Sequence, residues 1–167
     1  DTQLFLLNAA TMGVPQKRER VFFIAKSQSI KAGKLKLNFN KSPIFYGEYK
    51  NGYGREIKKN TVLYKYWLKR RPSDISIGKI TKRIIGKETM FNYTIIKDNQ
   101  IMPTILSSAE IIRYDEPFYI SNTDIINAQS FLFDYNFLDQ KCEYICGMSV
   151  PPIMMMQIAN EIKNQWL

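Results

Sequence analysis

Hydrophobic and polar positions divide the chain into short strand-like runs and a few helix-like ones. Residues 4–8 and 21–26 are rich in Leu, Phe, Ile and Val, and Gly13 and Pro15 lie between them. Apolar, β-prone runs separated by turn residues are typical of paired strands. The pattern predicts an antiparallel hairpin, followed by a polar, lysine-rich linker over residues 27–36.

A second pair of alternating runs lies further along the chain. Residues 91–97 and 101–106 alternate on either side of Asp98 and Asn99. Asp and Asn favour tight turns between strands. We therefore expect a second β-hairpin here.

Three segments have apolar residues at helical spacing instead. They are residues 61–70, 121–129 and 151–166. Thr61 is a good N-cap for the first, and Ser121 or Asn122 for the second. Pro152 is tolerated in the first turn of the third, which carries an apolar stripe.

Positive charge is concentrated in the middle of the chain. Residues 26–100 hold 18 Lys and Arg against 5 Asp and Glu, whereas the whole chain has a net charge of +9. A basic segment between flanks of lower charge indicates a module that binds a polyanion. Nucleic acid is favoured over a membrane surface, because the segment lacks a long amphipathic basic helix. A compositional bias towards lysine is the alternative for part of this charge.

The composition excludes several kinds of chemistry. The chain has no histidine and two cysteines, Cys142 and Cys146, so a Cys/His zinc site and a histidine base are excluded. Both cysteines are expected to be buried, structural thiols. No apolar run approaches the roughly 20 residues of a membrane span. Because the sequence begins with Asp1, we expect a piece of a longer or processed polypeptide.

The segment from Gly13 to Arg20 carries the densest set of candidate binding groups. Gln16, Arg18 and Arg20 are two residues apart, so in an extended chain they point to the same side. Such groups on one face form a rigid edge that binds anions and carbonyl groups. A solvated, charged strand is the alternative.

Three segments resemble sequence motifs of the DNA cytosine-5 methyltransferases, in that family's order. Residues 7–20, with Gly-Val-Pro before Gln-Lys-Arg-Glu-Arg, resemble the eighth motif, and residues 123–131 resemble the ninth. Residues 144–152, with Gly-Met-Ser-Val-Pro-Pro, resemble the tenth. Met148 stands where the family usually has Asn, and Leu132 where it usually has Pro. The basic segment lies where the family carries its target recognition domain.

The resemblance implies roles for particular residues. In the family, a cysteine thiolate attacks carbon 6 of a flipped cytosine, and carbon 5 takes the methyl group of S-adenosylmethionine. Arg20 is expected to hold the flipped cytosine and its phosphate, supported by Arg18 and Gln16. The residues expected to border the cofactor are Gly147, Met148, Ser149 and Val150. The family's Pro-Cys nucleophile and its Gly-rich cofactor loop do not occur in this sequence.

The basic segment supplies the expected contacts with double-stranded DNA. Lysine and arginine neutralise phosphates, while a few side chains read base edges in the major groove. The residues predicted to do so are Arg55, Lys69, Arg70, Arg71, Lys82 and Arg83.

These features predict an α+β chain in four parts. They are an edge hairpin (1–26), a target recognition domain (27–102), a return segment with the ninth motif (103–141), and the tenth motif with a terminal helix (142–167). The hairpin and the helix are expected to belong to an α/β, Rossmann-like methyltransferase domain.

The predicted function is that of a C-terminal fragment or subunit of a DNA cytosine-5 methyltransferase. A cytoplasmic, bacterial or phage restriction-modification system is the expected setting. The expected partner is an upstream catalytic segment or subunit, and no metal or membrane is expected. A non-enzymatic duplex-binding module, or a relic of such an enzyme, is the alternative. The large basic insert argues against an RNA cytosine methyltransferase of the same superfamily.

Overall fold

The computed structural model describes residues 1–108 and 110–167. Its strands are β1 (Thr2–Asn8), β2 (Glu19–Ala25), β3 (Tyr93–Ile96) and β4 (Glu110–Arg113). Its helices are α1 (Tyr46–Tyr49), α2 (Val62–Leu68), α3 (Ile77–Ile85), α4 (Asn122–Ala128), α5 (Cys142–Met148) and α6 (Pro152–Trp166). A 3-10 helix, Ala9–Met12, follows β1. Within the described ranges, no helix is both long and apolar enough to cross a membrane.

β1 and β2 form the predicted antiparallel hairpin. Pairing runs from Thr2 opposite Ala25 to Asn8 opposite Glu19. The inner face of the hairpin packs against α6 and against the segment that follows β2. The core that results contains Phe5, Leu7, Phe22, Ile24, Leu35, Leu37, Met154 and Ile158. The lysine-rich linker therefore ends in a segment that belongs to this core.

The second predicted hairpin is wrong, because β3 pairs in parallel with β4. The chain does turn at residues 98–99, but residues 101–106 then run to the loop before β2 instead of returning along β3. There Lys17 N donates to Met102 O at 2.8 Å. Pro103 also lacks the N–H that a ladder position needs. The alternation correctly predicted that residues 101–106 are extended, but it predicted the wrong pairing partner for β3.

The predicted helices are confirmed as α2, α4 and α6. The Thr61 side chain caps α2, and at α4 Ser121 Oγ and the Asp124 carboxylate each accept a hydrogen bond from the other's backbone N–H. α1, α3 and α5 were not predicted. α3 begins after Ser76 and ends at Gly86, which has a φ of 74°. This serine N-cap and glycine C-cap were signals that the sequence offered.

Two further apolar cores lie beyond the hairpin. One lies between β3, β4, α2 and α3, and we call these four elements the basic module. The other joins α4 and α5 to Tyr46, Ile96, Met102, Ile105 and Ile111. Pairing of β3 with β4 crosses the predicted boundary at residue 102, and the boundaries themselves stay a prediction.

Candidate functional site

The loop that leads into β2 turns its side chains towards the protein interior. The preceding 3-10 helix is capped by Asn8, whose Oδ1 accepts a hydrogen bond from Ala10 N at 3.1 Å. It ends at Gly13 with a φ of 86°, a conformation that favours glycine. Val14 and Pro15 are then buried. The predicted site residues thus follow a rigid, inward-facing turn.

Gln16 is fully buried and uses both ends of its side-chain amide. Its Nε2 donates to Gln129 Oε1 at 2.6 Å and to Ala128 O at 3.2 Å. Its Oε1 accepts from Ile105 N at 3.1 Å and from Arg18 Nη1 at 3.4 Å. An amide side chain has two N–H donors and one oxygen with two lone pairs. Protein groups therefore saturate Gln16.

Arg18 is also fully buried, and its guanidinium joins distant segments. Nη1 donates to Ile105 O at 2.9 Å, and Nη2 donates to Gly147 O at 2.7 Å and to Ser149 O at 2.8 Å. Its Nε has no hydrogen-bond partner among the described residues. Burial, and secondarily the charge of Arg20, lowers the pKa of Arg18 to about 10. The group is still protonated at neutral pH, where it clamps three backbone carbonyls.

Gln129 completes this set of contacts. Its Nε2 donates to Ser149 Oγ at 2.9 Å and to Ser149 O at 3.1 Å. Ser149 Oγ in turn donates to Cys146 O at 3.1 Å. We call Gln16, Arg18, Gln129 and Ser149 the buried network. It joins the three segments that carry the sequence resemblance, although Gln129 was not predicted as a site residue.

Gln16, Arg18 and Arg20 point to the same side of the chain, as predicted, but only Arg20 remains accessible. Arg20 alone lies within β2, opposite Leu7, where it is partly exposed. Its Nη1 donates to Glu19 O at 2.7 Å. Gln16 and Arg18 precede the strand, and the end of α4 and the loop between α5 and α6 cover them. The alternation of inward and outward side chains continues from β2 back through Arg18 to Gln16, so these two residues lie on the same side of the chain as Arg20.

The four residues predicted to border the cofactor lie at the junction of α5 and α6. A Cβ on Gly147 would lie 2.4 Å from Ser107 N, so this close approach of two backbones requires glycine. The carbonyl and hydroxyl of Ser149 are engaged in the buried network. Met148 is 68% exposed and Val150 is partly exposed. The junction is therefore a fixed backbone with an apolar outer side.

Of the six basic residues predicted to contact DNA, three have free side chains within the described residues and three are engaged by other side chains. Three are exposed and form no side-chain hydrogen bond or ion pair with the described part of the chain: Lys69, Arg71 and Lys82. Arg83, by contrast, pairs with Asp74 at 2.7 Å between Nη2 and Oδ2. Ion pairing reduces the charge that Arg83 offers to a phosphate.

Arg55 and Arg70 are held against aromatic rings. The Arg55 guanidinium lies 4.3 Å from the centre of the Tyr119 ring, and its Nη2 is 3.3 Å from Glu110 Oε2. The Arg70 guanidinium lies 3.5 Å from the centre of the Trp67 ring. Stacking of this kind restricts an arginine to one orientation. These two side chains are pre-oriented rather than free.

A buried ion pair that the sequence did not predict joins α4 to β4. Asp124 is fully buried, and its carboxylate accepts hydrogen bonds from Tyr46 Oη at 2.8 Å, Asn51 N at 2.6 Å, Ser121 N at 3.0 Å and Arg113 Nη2 at 3.2 Å. Burial and the hydrogen bond to Asp124 raise the pKa of Tyr46. Asp124 lies in the first turn of α4, and Arg113 is a lone arginine at the end of an apolar strand, so neither position indicates the other as its partner.

Both cysteines are buried, free thiols. Burial raises the pKa of Cys142 to about 11 and that of Cys146 to about 12. A thiol must ionise before it acts as a nucleophile or a metal ligand. Both groups are protonated at neutral pH, which supports a structural role. The described residues contain no cluster of three or more His, Cys, Asp or Glu that could hold a metal ion.

Comparison with known families gives one match that spans nearly the whole chain. The family model for C-5 cytosine-specific DNA methylases matches residues 1–164. Among curated proteins, no significant match is found.

Solved methyltransferase structures share the fold. A DNA modification methyltransferase encoded within an E. coli prophage is 18% identical with a TM-score of 0.65, covering 99% of this chain and 60% of that one. The Entamoeba histolytica methyltransferase EhMeth is 13% identical with a TM-score of 0.62, covering 98% and 53%. A mutant DNMT2 from Spodoptera frugiperda is 11% identical with a TM-score of 0.61, covering 98% and 58%. The chain thus spans little more than half the length of these structures.

Proposed function

Because the chain belongs to the C-5 cytosine-specific DNA methylase family, we propose that it acts as the C-terminal fragment or subunit of a DNA cytosine-5 methyltransferase. In this proposal it recognises duplex DNA and completes the sites for the flipped cytosine and for S-adenosylmethionine. The nucleophile and the glycine-rich cofactor loop are carried by another segment or subunit. A bacterial or phage restriction-modification system is the proposed setting.

The buried network is the observation that carries this proposal. Arg18 and Gln129 both donate to Ser149 O, so the segments that resemble the eighth, ninth and tenth motifs meet at one carbonyl. A hydrogen bond to a buried charged group contributes about 1.5–3 kcal/mol. Two such bonds from the Arg18 guanidinium hold the backbone of the junction in a single position, and a third joins it to Ile105. That rigidity supports a site that binds a base and a cofactor side by side.

Arg20 is the proposed contact with the flipped cytosine and its phosphate. Of the three side chains in the Gln-Lys-Arg-Glu-Arg segment singled out from the sequence, only Arg20 reaches the surface. Its planar donor fork suits a ring carbonyl or a phosphate. Gln16 and Arg18 act as positioning residues, since their donors are engaged by protein groups.

Residues at the junction of α5 and α6 are proposed to form one wall of the cofactor site. S-adenosylmethionine, when bound, supplies the methyl group. Met148 and Val150 offer apolar contact, and Gly147 keeps the junction close to Ser107. Ser149 holds the backbone of the junction, since its polar atoms are already engaged. The chain's own part in this site is to shape one wall and exclude water.

The basic module, together with Arg55 and residues 69–71 that flank α2, is the proposed DNA-recognition surface. Lys69, Arg71 and Lys82 would neutralise phosphates, because their charges are exposed and unpaired within the described residues. Arg55 and Arg70, pre-oriented by aromatic rings, are better suited to contacts that need one geometry. Arg83 would contact DNA less strongly because it pairs with Asp74.

A complementation assay tests the proposal. Transfer of a labelled methyl group from S-adenosylmethionine to mixed-sequence duplex DNA is measured with this chain, with the polypeptide encoded upstream, and with both. Transfer is expected only in the mixture, and Arg20→Ala should lower it on the order of 100-fold. Transfer by Arg20→Ala within about twofold of the parent would overturn the role of Arg20.

A non-enzymatic duplex-binding module is the second candidate. It needs no catalytic partner, and it agrees with the two protonated, buried thiols, neither of which can serve as a nucleophile at neutral pH. Under this candidate the chain binds duplex DNA with a steep dependence on salt, and no mixture transfers methyl groups. Affinity that is unchanged between about 50 and 200 mM salt would contradict both candidates.

A further inference from the structure

A mostly apolar cavity of about 420 Å³ opens beside α2 and β3 of the basic module. The buried side chains of Ile57, Leu63 and Tyr119 line it, together with the partly buried Tyr93. Sites for small ligands occupy about 300–1,000 Å³ and combine an apolar lining with a few polar groups. The proposed contacts with DNA phosphates leave this cavity unexplained. We call it the tyrosine pocket.

The two tyrosine rings of the pocket form a corner. Their centres lie 6.5 Å apart and their planes are inclined by 55°. In such a corner a flat group stacks on one ring and meets the other at its edge. Heterocyclic bases are flat, and each of them has a π-face that stacks on an aromatic side chain. The lining therefore suits a nucleobase.

The rim of the pocket is charged, whereas its lining is neutral. Arg55 and Lys58 are exposed at the rim, and the Arg55 guanidinium is held 4.3 Å from the centre of the Tyr119 ring. Glu56, also at the rim, offers an acceptor to the exocyclic amino group of a base. A neutral base on an anionic sugar-phosphate chain matches this division, because the cations at the rim can bind the adjoining phosphates.

We propose that the tyrosine pocket binds one unstacked base of the DNA, separate from the cytosine that is methylated. The inference rests on the proposed function, since it needs duplex DNA on the basic module. Extrusion of a cytosine interrupts the stack, so a base beside it or opposite it leaves the helix at lower cost. α2 begins at the pocket and ends before Lys69, a proposed phosphate contact. Seven helical residues place the two about 10 Å apart, on one continuous surface.

A free nucleotide is the other source of the same ligand chemistry. Exposed cations continue from Arg55 and Lys58 at the pocket to Lys69 at the far end of α2. That surface is longer than the phosphates of one nucleotide reach. A base within a strand accounts for both the pocket and the cations beyond it.

The test compares two labelled duplexes in fluorescence anisotropy titrations, with this chain alone and with the polypeptide encoded upstream added. One duplex is fully paired, and the other carries a single unpaired adenine, which needs little energy to leave the helix. The parent is expected to bind the second duplex about 10-fold more tightly, through base stacking. Tyr93→Leu should remove this preference, whereas Tyr93→Phe, which keeps the ring, should retain it.

Tyr66→Leu is the matched control. Tyr66 is partly buried against the same core as Tyr93 but does not line the pocket. The control should keep the preference for the unpaired adenine. All three variants should bind the paired duplex as the parent does, which shows that the module is folded.

A photochemical cross-link locates the base directly in the parent protein. With 5-iodouracil at the unpaired position, irradiation of the complex should join the DNA to a peptide that carries Tyr93 or Tyr119, identified by mass spectrometry. A cross-link elsewhere, equal binding of the two duplexes by the parent, or a preference that Tyr93→Leu retains would each overturn the inference.

Two further measurements separate the alternatives. Adenosine monophosphate that binds the parent as tightly as the duplex with the unpaired adenine would assign the pocket to a free nucleotide instead. Methyl transfer is measured in the same mixtures. Preference for the unpaired base without transfer would reject the proposed enzyme and leave the pocket intact, and transfer without preference would do the reverse.

Discussion

At the scale of single residues, Arg18 and Arg20 illustrate how neighbouring arginines take different tasks. Arg18 clamps carbonyls of residues 87 to 131 positions away, whereas Arg20 donates to its own neighbour Glu19. The sequence showed the spacing of the two guanidinium groups and therefore predicted a shared edge. It could not show which of them the distant segments would cover, because those partners lie at the other end of the chain.

Substitution of Arg18 should change the stability of the protein far more than substitution of Arg20. Arg18→Lys keeps the charge but loses the fork, so buried carbonyls lose their donors and the free energy of unfolding should fall by about 2–4 kcal/mol. Arg20→Lys should change it by less than about 0.5 kcal/mol, as for an ordinary surface substitution. Urea unfolding followed by circular dichroism measures both. Equal effects of the two substitutions would contradict the difference in burial.

The buried carboxylate of Asp124 should matter far more than an exposed one. Asp124→Asn leaves the buried Arg113 guanidinium with only the partly exposed Glu116 as an acidic partner, so we expect a loss of about 3–5 kcal/mol in the free energy of unfolding. Asp98→Asn is the control, because its ion pair with Lys50 is partly exposed and worth about 0–1 kcal/mol. The same urea titrations give both values. A loss below about 1 kcal/mol for Asp124→Asn would contradict the importance of the buried ion pair.

At the scale of elements, α6 offers neighbouring methionines in opposite environments. Met154 is fully buried against the hairpin, and Met155 is 45% exposed. Met154→Ala should cost about 2–5 kcal/mol through lost contacts and a cavity, whereas Met155→Ala should cost less than about 0.5 kcal/mol. Thermal unfolding of both variants measures the difference. A larger effect from Met155→Ala would mean that the helix is rotated.

Elements with local signals were predicted, and elements set by distant partners were not. The β1–β2 hairpin and the caps at Thr61 and Ser121 are encoded within a few residues, so the sequence located them. The parallel partner of β3 lies beyond an intervening segment of 13 residues, and no local pattern distinguishes it from the nearer run at 101–106. The resemblance located the three motif segments along the chain, but it did not predict the hydrogen bonds that join them.

At the scale of the whole molecule, buried thiols and phenols make stability depend on alkaline pH. Burial raises the pKa of Cys142 to about 11 and those of Cys146 and Tyr119 to about 12. In the unfolded chain these groups ionise from about pH 9 upwards, so it then binds fewer protons than the folded chain. The free energy of unfolding should therefore fall as pH rises, fully retained below about 9 and lost towards 12.

Urea unfolding at pH 8 and pH 10.5 checks this expectation. Each thiol should account for about 1–2 kcal/mol of the loss. A Cys142→Ala/Cys146→Ala variant is the control and should lose correspondingly less between the two pH values, although it is less stable throughout. An identical pH dependence in parent and control would show that the thiols are not the cause.

The reach of the Arg18 guanidinium also has a consequence for biosynthesis. Its partners at Gly147 and Ser149 are translated 129 and 131 residues after it. At about 5–20 residues per second, the ribosome delivers them on the order of ten seconds later. During that interval the nascent chain carries a guanidinium whose final acceptors do not yet exist. The wall of the site can close only after residue 149 has been synthesised, so a chain that stops before residue 147 leaves the Arg18 guanidinium with Ile105 O as the only one of its three carbonyl acceptors.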